Sequence, residues 1–230
     1  MVIGGLQKNS FIDYPGKISC VIFLSGCNFR CPYCQNPELV EGMGSSPHTR
    51  ENVLTFIESR KGFIDGVVIS GGEPTIQPDL VSLCRDIKTI GYPIKLDTNG
   101  SHPLILRELI ATHLIDYIAM DIKTDPYQYV PFFQKKGDPG DLLASIKLIQ
   151  MAGLPYEFRT TCVKPFISPQ IMERISRWID GAMLYALQRF NPKTVLCPEF
   201  FQDVEASMDD AELEVLKSIA DQNVKTCIIR

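Results

Sequence analysis

Short apolar, β-branched runs alternate along this chain with stretches whose apolar residues recur at helical spacing. The run Val21-Ile22-Phe23-Leu24 centres a strand predicted over about 18–24. Its lack of polar alternation suits a strand buried on both faces. Upstream, residues 3–17 read as an extended segment and a turn, because Asp13-Tyr14-Pro15-Gly16 punctuates short apolar stretches. Thr49 is placed to cap a helix over 51–60 that carries Val53, Leu54, Phe56 and Ile57. Strands are then predicted at 66–70, 93–98, 115–122, 155–162 and 183–190. Helices at 79–90, 103–112, 141–151 and 171–179 separate them, with Leu80, Leu83, Cys84 and Ile87 on one face of the first. A helix near 209–221 and a short strand near 224–229 finish the chain.

Strands alternating with helices argue for βαβ units around a parallel sheet. About six such units, where a closed barrel has eight, predict an α/β fold of the incomplete (β/α)6 TIM-like barrel type. One domain spanning 1–230 is expected, with an extended segment at 1–17, a core at about 18–190 and a C-terminal helix and strand at about 191–230. The least regular segment, Thr124 to Gly140, holds Tyr127, Tyr129, Phe132 and Phe133. It reads as a packed surface loop or as a loop that contacts a partner.

Composition narrows the classes. With 45% apolar and 22% charged residues and a net charge of −4, the chain reads as a globular protein without a phosphate-binding surface. No basic block exceeds Lys135-Lys136, so nucleic acid is not an expected partner. No apolar run approaches the roughly 20 residues of a membrane helix, and the N-terminus does not read as a signal peptide. A cytoplasmic location without a membrane partner is therefore the expectation. Of eight cysteines, Cys20, Cys84, Cys162, Cys197 and Cys227 are scattered and read as buried small hydrophobes.

The other three share one loop, Cys27-Asn28-Phe29-Arg30-Cys31-Pro32-Tyr33-Cys34, directly after the first buried strand. A cluster this tight in a cytosolic protein points to metal. Three thiolates can hold three corners of a four-iron cluster and leave one iron for a ligand. Zinc with Cys₃His remains an alternative, the nearest downstream histidine being His48. In parallel α/β folds ligands bind at the carboxyl ends of strands, and the unusual polar groups collect there. Successive strands end in the cysteine loop, Gly71-Gly72-Glu73-Pro74, Asp97-Thr98-Asn99-Gly100 and Asp121-Ile122-Lys123. The next two carry Arg159-Thr160-Thr161 and Gln188-Arg189. Arg159, flanked by Phe158 and Thr160, needs a carboxylate partner.

The cysteine motif with Tyr33 before its last cysteine, followed by Gly71-Gly72-Glu73-Pro74, resembles the radical S-adenosylmethionine (SAM) superfamily. Phe11 to Lys17, Leu24 to Asn36, Leu96 to Gly100 and Met120 to Lys123 resemble, more narrowly, the glycyl-radical-enzyme activating proteins, nearest to those of anaerobic ribonucleoside-triphosphate reductase. The resemblance implies a [4Fe–4S] cluster on Cys27, Cys31 and Cys34, whose fourth iron chelates SAM. It implies that Gly71 and Gly72 receive the methionine amino group, with Glu73 pairing with it or bracing the turn. Tyr33 would lie near the adenine or simply pack as a buried tyrosine. Asp97, Thr98, Asn99 and Asp121 would contact ribose, methionine or a monovalent cation, and Lys123 and Arg159 a carboxylate. The last strand departs from the pyruvate formate-lyase activator pattern, offering Gln188 where a histidine stands. His48, His102 and His113 receive no role.

The implied activity is reductive cleavage of SAM to a 5′-deoxyadenosyl radical, which then abstracts hydrogen from a glycine of a partner enzyme. That partner would be anaerobic ribonucleotide reductase or another glycyl radical enzyme of the pyruvate formate-lyase type. A low-potential donor such as flavodoxin or ferredoxin would supply the electron. The absence of a second cysteine cluster leads away from members that carry auxiliary clusters. A radical enzyme acting on a small molecule, such as a deazapurine synthase, is the alternative enzyme; an iron–sulfur electron carrier or sensor is the alternative without catalysis.

Overall fold

A computed structural model describes residues 1–42, 48–129 and 138–230. Most of the Gly/Ser/Pro connection before His48, and the Phe132-Phe133 and Lys135-Lys136 part of the irregular segment, lie outside those residues. The elements are β1 (Ile3–Ser10), β2 (Ser19–Leu24), α1 (Pro37–Glu41), α2 (Arg50–Ser59), β3 (Gly66–Gly71), α3 (Leu80–Ile90), β4 (Ile94–Thr98) and α4 (Pro103–Ala111). They continue with β5 (Tyr117–Asp121), α5 (Pro139–Met151), β6 (Tyr156–Cys162), α6 (Pro169–Trp178), β7 (Tyr185–Arg189), α7 (Asp210–Ala220) and β8 (Cys227–Ile229). The strands follow one another in chain order, β1 to β8. Each of β2 to β7 is followed by a helix of its own, which is the predicted α/β alternation.

The chain forms two compact units. The first comprises residues 1–28, 38–98 and 104–118. Within it β2, β3 and β4 are parallel, in a register that sets Leu24 opposite Gly71 and Val68 opposite Lys95. The extended N-terminal segment is a strand, β1, antiparallel to β2, so the sheet is mixed at this edge. Thr49 caps α2 through its hydroxyl, which accepts from the Asn52 amide at 3.2 Å. Of the four apolar residues predicted to face inward on α2, Val53 and Ile57 are buried. On α3 all four, Leu80, Leu83, Cys84 and Ile87, are fully buried, and Gly91 closes the helix in the left-handed region. Tyr14 from the Asp13-Tyr14-Pro15-Gly16 turn packs with Val21, Val68 and Tyr117.

The second unit comprises residues 29–37, 99–103 and 119–230. Here β6, β7 and β8 are parallel. Helices α5, α6 and α7 contribute Ile146, Ile149, Met172, Ile175, Leu213 and Leu216 to its core. A capping box, Asp209 with Glu212, starts α7. Among the described residues no helix is long and apolar enough to cross a membrane.

Burial pushes the thiols of Cys20, Cys84, Cys162 and Cys227 up to about 12, so they stay protonated and inert, as predicted. Cys197 differs, being only half-buried. Replacing Ile87 by Ala should lower the unfolding free energy by about 2–5 kcal/mol in urea denaturation, because the residue is fully enclosed and its removal leaves a cavity in the core.

Candidate active site

The first unit supplies a lock between two strand ends. After β2 the chain runs Leu24-Ser25-Gly26-Cys27, with Gly26 at φ +94°. After β3 it turns at Gly71, φ +122°, and Gly72. The Gly72 amide donates to the Leu24 carbonyl at 2.8 Å and the Glu73 amide to the Gly26 carbonyl at 2.9 Å. The Gln77 side chain adds a bond to the Ser25 carbonyl at 2.7 Å. A methyl group on residue 71 would fall 2.3 Å from the Leu24 oxygen, and one on residue 72 would fall 2.1 Å from the Gly26 oxygen. Only glycine lets the two backbones meet here.

Glu73, read in the sequence as a partner of the methionine amino group or as a brace for the turn, makes bonds of the bracing kind through its Oε1 oxygen. Its buried carboxylate accepts from the Thr75 amide at 3.0 Å, the Thr75 hydroxyl at 2.6 Å and the Thr98 hydroxyl at 2.8 Å. The turn after β3 is thereby tied to the end of β4. Asp97, one residue earlier, accepts from Lys95 Nζ at 2.6 Å and from the Ser70 hydroxyl at 3.0 Å. Lys95 was not singled out in the sequence, although its i, i+2 spacing from Asp97 puts both on one face of the strand.

The second unit holds Cys31, buried, and Cys34, half-buried, joined by a turn in which the Cys34 amide donates to the Cys31 carbonyl at 2.9 Å. Tyr33 between them is 4% exposed, and its ring lies 5.4 Å from that of Phe166. Burial pushes its hydroxyl well above the usual phenol range. Phe200 stacks on the Phe166 ring, and the Cys197 amide donates to the Pro32 carbonyl at 3.0 Å. These supports of the cysteine loop were not predicted, because they come from far along the chain.

Asp121 accepts from Arg159 Nε at 2.7 Å and from Lys123 Nζ at 2.9 Å. The carboxylate that Arg159 requires is therefore within the chain. Burial alone would raise the Asp121 carboxyl, but the two cations outweigh it and hold it well below the usual carboxylate range. Lys123 is held fully charged: burial opposes this, and Asp121 and then Cys31 override it. The Asp121 carboxylate thus brings an ammonium and a guanidinium together at the end of β5. Tyr129, also missed, accepts from the Lys123 amide through its hydroxyl at 2.8 Å and packs edge-on to Phe29 of the cysteine loop.

The Asn99 side chain accepts from the Ser101 amide at 2.9 Å and shapes the turn after β4. On β7, Arg189 pairs with Asp210 at 2.6 Å, which leaves Gln188, half-buried, on the opposite face.

The thiols of Cys27, Cys31 and Cys34, none of them in a disulfide, are the soft donors that iron and sulfur take. Two of them flank a buried aromatic on a loop pinned from behind, and a fixed ammonium lies within electrostatic reach of Cys31. Among the described residues no three His, Cys, Asp or Glu side chains are grouped to hold a single ion. An iron–sulfur cluster binds its thiolates on separate irons.

Asp121→Asn should cost about 2–3 kcal/mol at neutral pH, since two cations lose their counter-charge. With its native carboxyl depressed, the Asp121 contribution is complete above the ordinary carboxylate range and is lost as pH falls through the native value. Urea denaturation should therefore show the gap between wild type and variant narrowing below about pH 4.

Comparison with known proteins supplies the family. The sequence model of the radical SAM superfamily matches residues 21–179. The chain is 36% identical, over its full length and 95% of the relative's, to a Methanocaldococcus jannaschii protein named "Putative glycyl-radical enzyme activating enzyme". It is 31% identical to the pyruvate formate-lyase-activating enzyme of Clostridium pasteurianum over 60% of this chain and 61% of that one. Among solved structures, Streptococcus suis SuiB bound to the precursor peptide SuiA superposes with a TM-score of 0.68 at 15% identity. That match covers 91% of this chain and 48% of SuiB, so the chain spans about half the length of that neighbour, and the likeness concerns the fold. The chain belongs to the radical SAM superfamily, whose enzymes use a [4Fe–4S] cluster and SAM, and within it to the family of the glycyl-radical enzyme activating enzymes.

Proposed function

We propose that this protein is an activase that installs a glycyl radical on a partner enzyme, and that the partner is anaerobic ribonucleotide reductase. The observation that carries the enzymatic reading is the backbone lock between Gly71-Gly72-Glu73 and the start of the cysteine loop. An electron carrier has no need of a glycine turn held against its ligand loop. The partner class is supported by the full-length relative, and the choice of reductase by the likeness of residues 11–17, 24–36, 96–100 and 120–123.

In this reading Cys27, Cys31 and Cys34 hold the cluster. When bound, cluster and SAM supply one-electron chemistry that yields a 5′-deoxyadenosyl radical able to take hydrogen from a glycine. The chain's own residues bind and orient. Gly71 and Gly72 give the methionine amino group access to backbone, and Glu73 acts through the turn as a positioning residue. Lys123 and Arg159, brought together by Asp121, would hold the methionine carboxylate through charge-assisted hydrogen bonds. Tyr33 supports the adenine, while Asp97, Thr98, Asn99 and Gln188 border ribose and methionine. A flavodoxin or ferredoxin serves as donor.

Anaerobic reconstitution followed by SAM and dithionite should give 5′-deoxyadenosine. Addition of the reductase should then give the EPR doublet of a glycyl radical. No 5′-deoxyadenosine overturns the radical reading; 5′-deoxyadenosine with no radical on any glycyl radical enzyme overturns the activase part. Gly72→Ala should weaken SAM binding by about tenfold or more in calorimetry, because the methyl group must push the turn off the Gly26 carbonyl.

A further inference from the structure

Glu157, on β6, is a carboxylate only 1% exposed that the proposed function leaves without a role. Its Oε2 lies 2.8 Å from Arg230 Nη2, an ion pair by distance, although that oxygen is not aligned for a hydrogen bond. Among the described residues neither side chain has a second ion pair. The Arg230 side chain remains partly exposed.

Backbone pairing fixes which way the pair faces. The Arg230 amide donates to the Leu187 carbonyl at 2.8 Å, and the Arg189 amide donates to the Arg230 carbonyl at 2.9 Å. In a parallel ladder these two bonds set Arg230 beside Gln188. Gln188 in turn stands beside Thr161 of β6. Lateral neighbours share a face of the sheet, as do alternate residues of one strand. Glu157, Arg159, Thr161, Gln188 and Arg230 therefore lie on one face, the face from which Arg159 reaches Asp121. Arg230 stands two strands away from β6, roughly 10 Å at about 4.8 Å per strand. It lies beyond Gln188 as seen from Arg159, on the last strand in the order.

A guanidinium that shares its charge with a carboxylate has less to offer an anion, but it keeps N–H donors that Glu157 does not use. Such donors suit neutral carbonyl oxygens, and the planar fork can span two of them. A glycine offers a protein only main-chain groups by which to be held. We propose that Arg230 receives the glycine-bearing segment of the partner enzyme by donating to its main-chain carbonyls. Glu157 is then the positioning residue that fixes the guanidinium. This assignment rests on the activase reading and adds to it a group that recognises the protein substrate.

The reconstituted enzyme and anaerobic ribonucleotide reductase test it. Arg230→Gln should raise the KM for the reductase in glycyl-radical formation, followed by EPR, by about tenfold. The dissociation constant of SAM should stay within about twofold of wild type. Because Arg230→Gln leaves Glu157 buried and unpaired, its thermal midpoint should fall. Adding Glu157→Gln removes the buried charge and should restore the midpoint but not the KM. A KM restored together with the midpoint would make Arg230 a counter-ion only and overturns the proposal. SAM binding weakened as much as the KM is raised overturns it too. If Arg230→Gln does not fold, the double variant carries both comparisons. A wild-type protein that forms no radical on the reductase overturns the proposed function, whereas wild-type radical formation with an unchanged KM in the variants overturns this inference alone.

Discussion

The chemistry proposed at the end of β2 depends on how closely two stretches of backbone approach each other. Leu24 to Cys27 and Gly71 to Glu73 are joined by two main-chain hydrogen bonds, at a separation that leaves no room for a β-carbon. The lock is set by the parallel register of β2 and β3, which places Leu24 opposite Gly71. A slip of one residue would turn every side chain to the other face and carry the glycines away from the loop. Position of the first cysteine is therefore decided by strand pairing rather than by the loop's own sequence. Glu73 extends the constraint through Thr98 to the next strand end, so that three consecutive strands share one hydrogen-bonded rim.

Each unit sets a carboxylate against cations of its own. Asp97 accepts from the Lys95 ammonium, and Asp121 from the Lys123 ammonium and the Arg159 guanidinium. Such charge-assisted bonds fix the orientation of each carboxylate at its strand end. Cations gathered at the end of β5 also favour an anion, which in the proposed reading is the methionine carboxylate. Holding Lys123 charged matters for that reading, because a neutral lysine would give up its attraction for that group.

Much of this was legible in the sequence because it is written in local patterns. Helical spacing named the buried face of α3 residue by residue, and paired glycines after an apolar strand marked the turn at 71–72. What escaped depends on partners distant along the chain. The Thr98 hydroxyl, 25 residues on from Glu73, engages its carboxylate across two strand ends, a contact that no local pattern marks. Lys95 looked like an ordinary polar residue, since a lysine in a strand is seldom enclosed. Tyr129 lay in a segment without periodicity, and its hydroxyl meets a backbone amide, a contact with no sequence signature. The N-terminal strand was read as merely extended, because its half-exposed residues show no alternation.

The C-terminal part of the chain illustrates why a reactive loop needs support from elsewhere. Between Cys31 and Cys34 lie only Pro32 and Tyr33, too few residues to build a core of their own. The Pro32 carbonyl is met by the Cys197 amide, Gln35 by the Asn191 carbonyl, and Tyr33 by Phe166, itself stacked on Phe200. Each aromatic contact contributes about 0.5–1.5 kcal/mol beyond area burial, enough together to hold a short loop in one conformation. Metal binding to an unformed site must order its ligands at the moment of binding. A loop already ordered from behind spares that cost and keeps its thiolates in one arrangement. The half-buried Cys197 thus differs from the other scattered cysteines in what its backbone does: it backs the loop that carries the chemistry.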